Sequence, residues 1–257
     1  MPAVLTLVYM FPPSAKLALV LEYSKPTVLT AFTSHFVHFT PTHLFVNVVG
    51  YVLVVTLGYL LALTGGRRRQ FFTVFVTFVL VFPFGLSGLN LLWEWPGVGF
   101  GFSGVVMAFV GYLPLALLSV LGNQFGLPVD QRQSNWLFLI VVTIAAFAAL
   151  SAPQTVPLAT IAAAFTAVFV WRVVRELEDS SLTQARRTVA TAGNVELTIL
   201  GAGVLLIYPF VAFSSDLLAG GGILNVYTHG LGLSFGYFVT YIAVLGGLFD
   251  AESVLPD

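Results

Sequence analysis

The chain has 257 residues, of which 58% are hydrophobic and 8% charged, and its formal net charge is -1. Soluble domains carry roughly three times that share of charge, so a water-soluble globule is excluded, and the near-neutral balance excludes a basic surface for nucleic acid. The absence of cysteine excludes disulfides, thiolate nucleophiles and cysteine-ligated metal or iron–sulfur centres, which leaves any chemistry to serine, histidine, asparagine and a few carboxylates.

An apolar helix needs about 20 residues to cross a hydrocarbon core about 30 Å thick. Taken in chain order, eight hydrophobic segments stand out: residues 3–22, 43–64, 71–92, 101–121, 136–150, 156–174, 196–213 and 224–249. They predict an all-α polytopic transmembrane bundle forming one membrane domain over residues 1–257. The first segment is interrupted by Pro12 and Pro13 and contains Lys16. It reads as a spanning helix kinked at the prolines, an interfacial helix, or the remnant of a longer amino-terminal region. Between the fifth and sixth segments, Ser151 to Pro157 supplies the breakers for a tight turn. Trp93, Trp95, Trp136 and Trp171 fall near segment ends and read as an interfacial belt. Glu94 and Asp216 fall in loops and read as solvated.

The basic residues give an orientation. Arg67, Arg68 and Arg69 follow the second segment, Arg132 follows the fourth, and Arg172, Arg175, Arg186 and Arg187 follow the sixth. With the amino terminus inside and all eight segments crossing, every arginine is cytoplasmic, and only Lys16 and Lys25 break the positive-inside rule. Removing the first segment from the membrane leaves the orientation of the other seven unchanged. A compact chain with no transit peptide favours a prokaryotic cell membrane.

Polar residues inside or beside hydrocarbon are costly and mark the places to look for function. His35, His38, His43 and Asn47 lead into the second segment; His43 and Asn47 are four apart and share one helix face. Gly101, Phe102, Ser103 and Gly104 open the fourth, with Ala108 and Gly111 continuing a stripe of small residues. His229, Gly232 and Gly236 open the eighth on one face. These three segments run in the same direction, so their polar starts lie at one depth, near the outer leaflet. If the two small-residue stripes face each other, Ser103 and His229 come within reach, the minimum for nucleophilic catalysis. His229 is then general base and acid, and His43, Asn47 and the Ser103 backbone N–H are candidate oxyanion donors.

In this order and topology, His43-x3-Asn47, Gly101-Phe102-Ser103-Gly104 with Ala108 and Gly111, and His229-x2-Gly232-x3-Gly236 resemble the rhomboid family of intramembrane serine proteases. The resemblance covers roughly residues 30–121 and 224–249. It implies a Ser103–His229 dyad without a catalytic acid and His43 and Asn47 at the oxyanion hole; separately, the residues themselves, with no HExxH pattern, give no reason to expect a metal or cofactor. The resemblance further implies cleavage of the transmembrane segments of other membrane proteins near the outer face of the bilayer. The chain departs from that family in having three hydrophobic segments between serine and histidine where the six-helix core has one. Crossing parity is kept, but either 136–150 or 196–213 then stands for the family's fifth helix, which borders substrate entry. The family's usual Trp-Arg pair in the first loop is missing.

Taken singly, these residues have plainer readings. A transmembrane serine often bonds a carbonyl one turn back, a lone interfacial histidine is often merely satisfied, and His43 and Asn47 can tie helices together. His35 and His38 read as interfacial or loop residues, and a metal site of His35, His38 and His43 lacks a nearby carboxylate other than Glu22. The alternative from another class is a proteolytically inactive rhomboid-like protein that binds transmembrane clients. A transporter would show repeat symmetry and charged or broken helices at mid-membrane, which the sequence does not display. Substrate identity and oligomeric state have no signature in the sequence.

Overall fold

The computed structural model describes residues 1–93, 97–149, 193–213 and 222–250, with positions 160, 164 and 167 standing alone between them. The expected segment 156–174, the turn from Ser151 to Pro157, and Glu94, Trp95, Trp171, Arg172, Arg175, Arg186, Arg187 and Asp216 lie outside the described residues. The described chain is all-α apart from one two-residue ladder. In order it forms α1 (Pro2–Tyr9), α2 (Pro13–Leu17), β1 (Leu21–Glu22), α3 (Val28–Thr33), α4 (Pro41–Thr64), α5 (Arg68–Leu80) and α6 (Phe82–Asn90). Then follow β2 (Val98–Gly99), α7 (Ser103–Asn123), α8 (Asn135–Ala149), α9 (Asn194–Phe213) and α10 (Gly222–Leu245). Short 3-10 turns occupy Ser34–Phe36 and Gln131–Gln133.

Among the described residues, five helices are long and apolar enough to cross a membrane, or six if the bent pair α5–α6 counts as one span. Several such helices in one chain make this an integral membrane protein. The first expected segment is not one of them. Its prolines divide it: α1 ends at Tyr9 and α2 begins on Pro13, which takes the first helical position. Eight residues of α1 rise only about 12 Å, too little to span.

The third expected segment is also modified. It bends by 48° between α5 and α6, because Pro83 lacks the N–H that would bond the carbonyl of Val79. Pro114 and Pro209, by contrast, lie inside α7 and α9 without dividing them. The expected segments 43–64, 101–121, 136–150, 196–213 and 224–249 correspond to α4, α7, α8, α9 and α10.

α7 is the axis of the bundle. Of its most apolar 18 residues, 94% are buried by other helices, against 22–39% for the other candidate spans. A helix apolar on every side belongs in such a position. α10 lies closely along it, α4 packs on another side, and α9 touches α4, α7, α8 and α10. Contacts give the directions. Gly58 of α4 meets Tyr112 and Leu113, and Gly65 meets Ser119, so α4 and α7 run parallel. Gly104 and Ala108 of α7 meet Gly232 and Gly236 of α10 in the same order, so α10 is parallel as well. α9 runs the opposite way along α4 and α7: Gly201 lies against Leu61 and Leu117, and Tyr208 against Gly50. The starts of α4, α7 and α10 therefore share one end of the molecule, as the sequence reading expects.

The residues before α4 cap that end. β1 pairs antiparallel with β2, Leu21 opposite Gly99 and Glu22 opposite Val98, tying the amino-terminal region to the loop that leads into α7. Lys16 is buried here. Its ammonium donates to the carbonyls of Tyr9 (3.3 Å) and His38 (3.2 Å) and lies over the rings of Tyr9 and Phe39. Carbonyl oxygens and aromatic faces replace its water shell.

Candidate functional site

Thr40 caps α4, its hydroxyl accepting from the His43 N–H at 3.2 Å, and Pro41 follows at the first helical position. This starts the helix so that His43 stands in the first turn and Asn47 one turn on. Asn47 is buried and its amide donates to the His43 carbonyl at 2.9 Å. The imidazole of His43 lies against the loop that leads into α7, where a Cβ placed on Gly101 would stand 3.0 Å from His43 Nε2.

Gly101 has φ +110°, a conformation costly for any residue with a Cβ. Two constraints therefore require glycine there: the backbone and the neighbouring ring. The Gly101 N–H donates to the Ser34 carbonyl at 3.0 Å, which fastens the loop to the amino-terminal cap. Phe102, fully buried against Phe36 and Tyr51, anchors the next position. Ser103 then opens α7, so its N–H and that of Gly104 precede the helix's own ladder and are available to an anion at the positive end of the helix.

The two small-residue stripes face each other. A Cβ on Gly232 would collide with the carbonyl of Gly104; one on Gly236 would collide with the backbone of Ala108; one on Gly111 would collide with the carbonyl of Leu233. Backbones this close leave room only for hydrogen at those positions. At the top of the seam a Cβ on Gly104 would lie 3.1 Å from the Thr228 methyl. Ser103 and His229 are the chain neighbours of that contacting pair. Their side chains are each part-exposed, and no hydrogen bond joins them among the described residues.

His229 is held from its other side. Its Nδ1 lies 2.8 Å from the carbonyl oxygen of Ala212 in α9. A carbonyl only accepts, so Nδ1 carries the proton and Nε2 keeps a lone pair. The Phe213 ring packs edge-on to the imidazole, with centroids 5.9 Å apart. The start of α10 is also latched to the end of α6. Thr228 donates to Asn90 Oδ1 (3.1 Å), and Tyr227 donates to the Leu89 carbonyl (3.3 Å) while accepting from the Trp93 indole (2.9 Å).

The remaining histidines lie between α3 and α4, as the loop reading expects, and both are buried in the cap. Ser87 donates to the Ala31 carbonyl at 2.7 Å, so it accepts from His35 Nε2–H at 3.0 Å. His38 donates from Nδ1 to the Phe36 carbonyl and meets the His43 ring edge-on at 4.8 Å between centroids. Burial pushes both His35 and His38 down from an ordinary value of 6.5 to about 4. No group of three histidine or carboxylate side chains among the described residues is placed to hold a metal ion.

Thus the sequence-predicted set Ser103, His229, His43, Gly101, Gly104, Ala108, Gly111, Gly232 and Gly236 lies along one seam and its opening. Asn47 is one turn deeper, bonded within its own helix. Thr228 opens the polar start of the eighth segment, but its bond to Asn90 was not foreseen, nor was the Ala212 carbonyl. Asn90 offered a signal, a buried amide at the end of an apolar segment, whereas a backbone acceptor has none.

Comparison with protein families, with curated proteins and with solved structures finds no match for this chain.

Proposed function

We propose that this protein is a rhomboid-type intramembrane serine protease that cleaves transmembrane segments of other membrane proteins, with Ser103 as nucleophile and His229 as base. The observation that carries this reading is the α7–α10 seam. Paired glycines from Gly104 to Gly236 bring two backbones into contact immediately below a serine on one helix and a histidine on the other. Small-residue seams are common in membrane bundles. One that ends in a serine at a helix start, beside an imidazole whose Nε2 is unprotonated, has the parts of a hydrolytic site.

In this reaction His229 Nε2 takes the Ser103 hydroxyl proton as Oγ bonds the scissile carbonyl carbon. It then returns that proton to the departing amine as the C–N bond breaks, leaving an acyl-serine that water hydrolyses by the same exchange. The oxyanion is stabilised by the Ser103 N–H with His43 and Asn47. α9, which borders α4 and reaches His229, stands for the fifth helix of the rhomboid core, and α8 is then one of the added elements. Arginine-rich loops are cytoplasmic, and the site opens toward the outer face. Ser103→Ala and His229→Ala are each expected to abolish cleavage of a transmembrane substrate by protein reconstituted in vesicles, with thermal unfolding unchanged. Substantial residual cleavage in either variant would overturn the dyad.

A further inference from the structure

The proposed dyad has no acid, yet a base needs its imidazole held in one tautomer and one orientation. In a serine triad a carboxylate does this, and loss of the correct tautomer costs orders of magnitude in rate. No carboxylate occurs in α10, and the one in α9, Glu196, stands at the opposite end of that helix. What His229 Nδ1 does meet is the Ala212 carbonyl at 2.8 Å. This carbonyl belongs to the last described turn of α9, and a backbone carbonyl has two lone pairs, so it can accept from the imidazole whatever its helix asks of it. We propose that the Ala212 carbonyl is the positioning group of the site: it fixes His229 as the Nδ1–H tautomer and so keeps Nε2 ready to take the Ser103 proton.

The inference rests on the Ser103–His229 reading and gives α9, taken there as the counterpart of the family's fifth helix, a task beyond bordering substrate entry. Tyr208, one turn before Ala212, seats its hydroxyl on Gly50 of α4, and Gly201 seats the other end of α9 against Leu61 and Leu117. These contacts set the height of the helix, and with it the position of the carbonyl. A neutral acceptor also suits a site among apolar helices, since it orients the ring without the cost of burying a carboxylate there.

The test replaces Phe213 by phenyllactic acid, which turns the Ala212 carbonyl into that of an ester, a weaker acceptor. Lactic acid in place of Ala212 is the control: it removes an N–H from the same turn and leaves the Ala212 carbonyl an amide. Nitrogen-15 spectra of histidine-labelled protein report the tautomer, and the rate of fluorophosphonate labelling at Ser103 reports reactivity. We expect His229 as Nδ1–H in the parent and the control. In the Phe213 ester we expect a shift toward Nε2–H with labelling slowed about five- to tenfold, the scale of one neutral hydrogen bond. An Nε2–H tautomer in the parent would overturn the inference. So would an ester that changes tautomer without slowing labelling, or one that slows it no more than the control. A parent that shows the Nδ1–H tautomer but never labels at Ser103 would instead overturn the catalytic reading and, with it, the task assigned to Ala212.

Discussion

His35 and His38 show how strongly the surroundings of a residue decide its chemistry. Both lie outside the candidate spans, and burial lowers each to about 4. In the unfolded chain each binds a proton near 6.5, so the folded form loses stability as pH falls from there toward 4, and keeps all of it above. Thermal unfolding in detergent is therefore expected to shift to lower temperature between pH 7 and pH 5. The double variant His35→Gln, His38→Gln should show a flatter dependence; an equal slope would assign the effect to other groups. Sequence alone exposed these residues as costly but could not say whether they faced headgroups or a packed cap. That depends on partners far along the chain: Ser87 for His35, and Lys16 on the carbonyl of His38. The serine, the histidine and the glycines around them were legible because their spacing repeats on one helix face. The Ala212 acceptor was not, because every residue has a carbonyl.

At the level of elements, the α7–α10 seam is where small changes should do most damage. Gly236→Ala places a methyl against the Ala108 backbone, so the helices must separate, at a cost of about 1–3 kcal/mol for overpacking, with cleavage activity falling in step. Gly203→Ala in α9 meets nothing within 4 Å and is expected to change stability by less than about 0.5 kcal/mol. Equal unfolding temperatures for the two variants would contradict the seam. Helix positions were readable from hydrophobic length, and Pro12 and Pro13 already marked the break in the first segment, but the 48° bend within the third was not read. Pro83 lies within an apolar run, and hydropathy is blind to the hydrogen bond that a proline removes. Pro114 and Pro209 show that the same residue can be absorbed, so the outcome depends on packing that sequence does not display.

For the whole molecule, the parallel starts of α4, α7 and α10 gather the polar residues at one end, and the expected arginine distribution puts that end outside. Lack of native cysteine makes this directly testable. Val98→Cys, in the loop before Ser103, should react with a membrane-impermeant maleimide in intact cells, whereas Arg68→Cys should react only after permeabilisation. The reverse pattern would invert the protein in its membrane. What ties the end together is a cap built by the first forty residues, through the β1–β2 ladder and the Ser34 carbonyl. This long-range assembly left no periodic trace in the sequence.

The most direct test of a Ser103 nucleophile is covalent. Purified protein in lipid or mild detergent should be labelled by a fluorophosphonate probe, the adduct should map to Ser103 by mass spectrometry, and His229→Ala should lose it. Folded protein that stays unlabelled across pH and lipid composition, or an adduct on another residue, would contradict the protease and favour a rhomboid-like protein that binds transmembrane segments without cutting them.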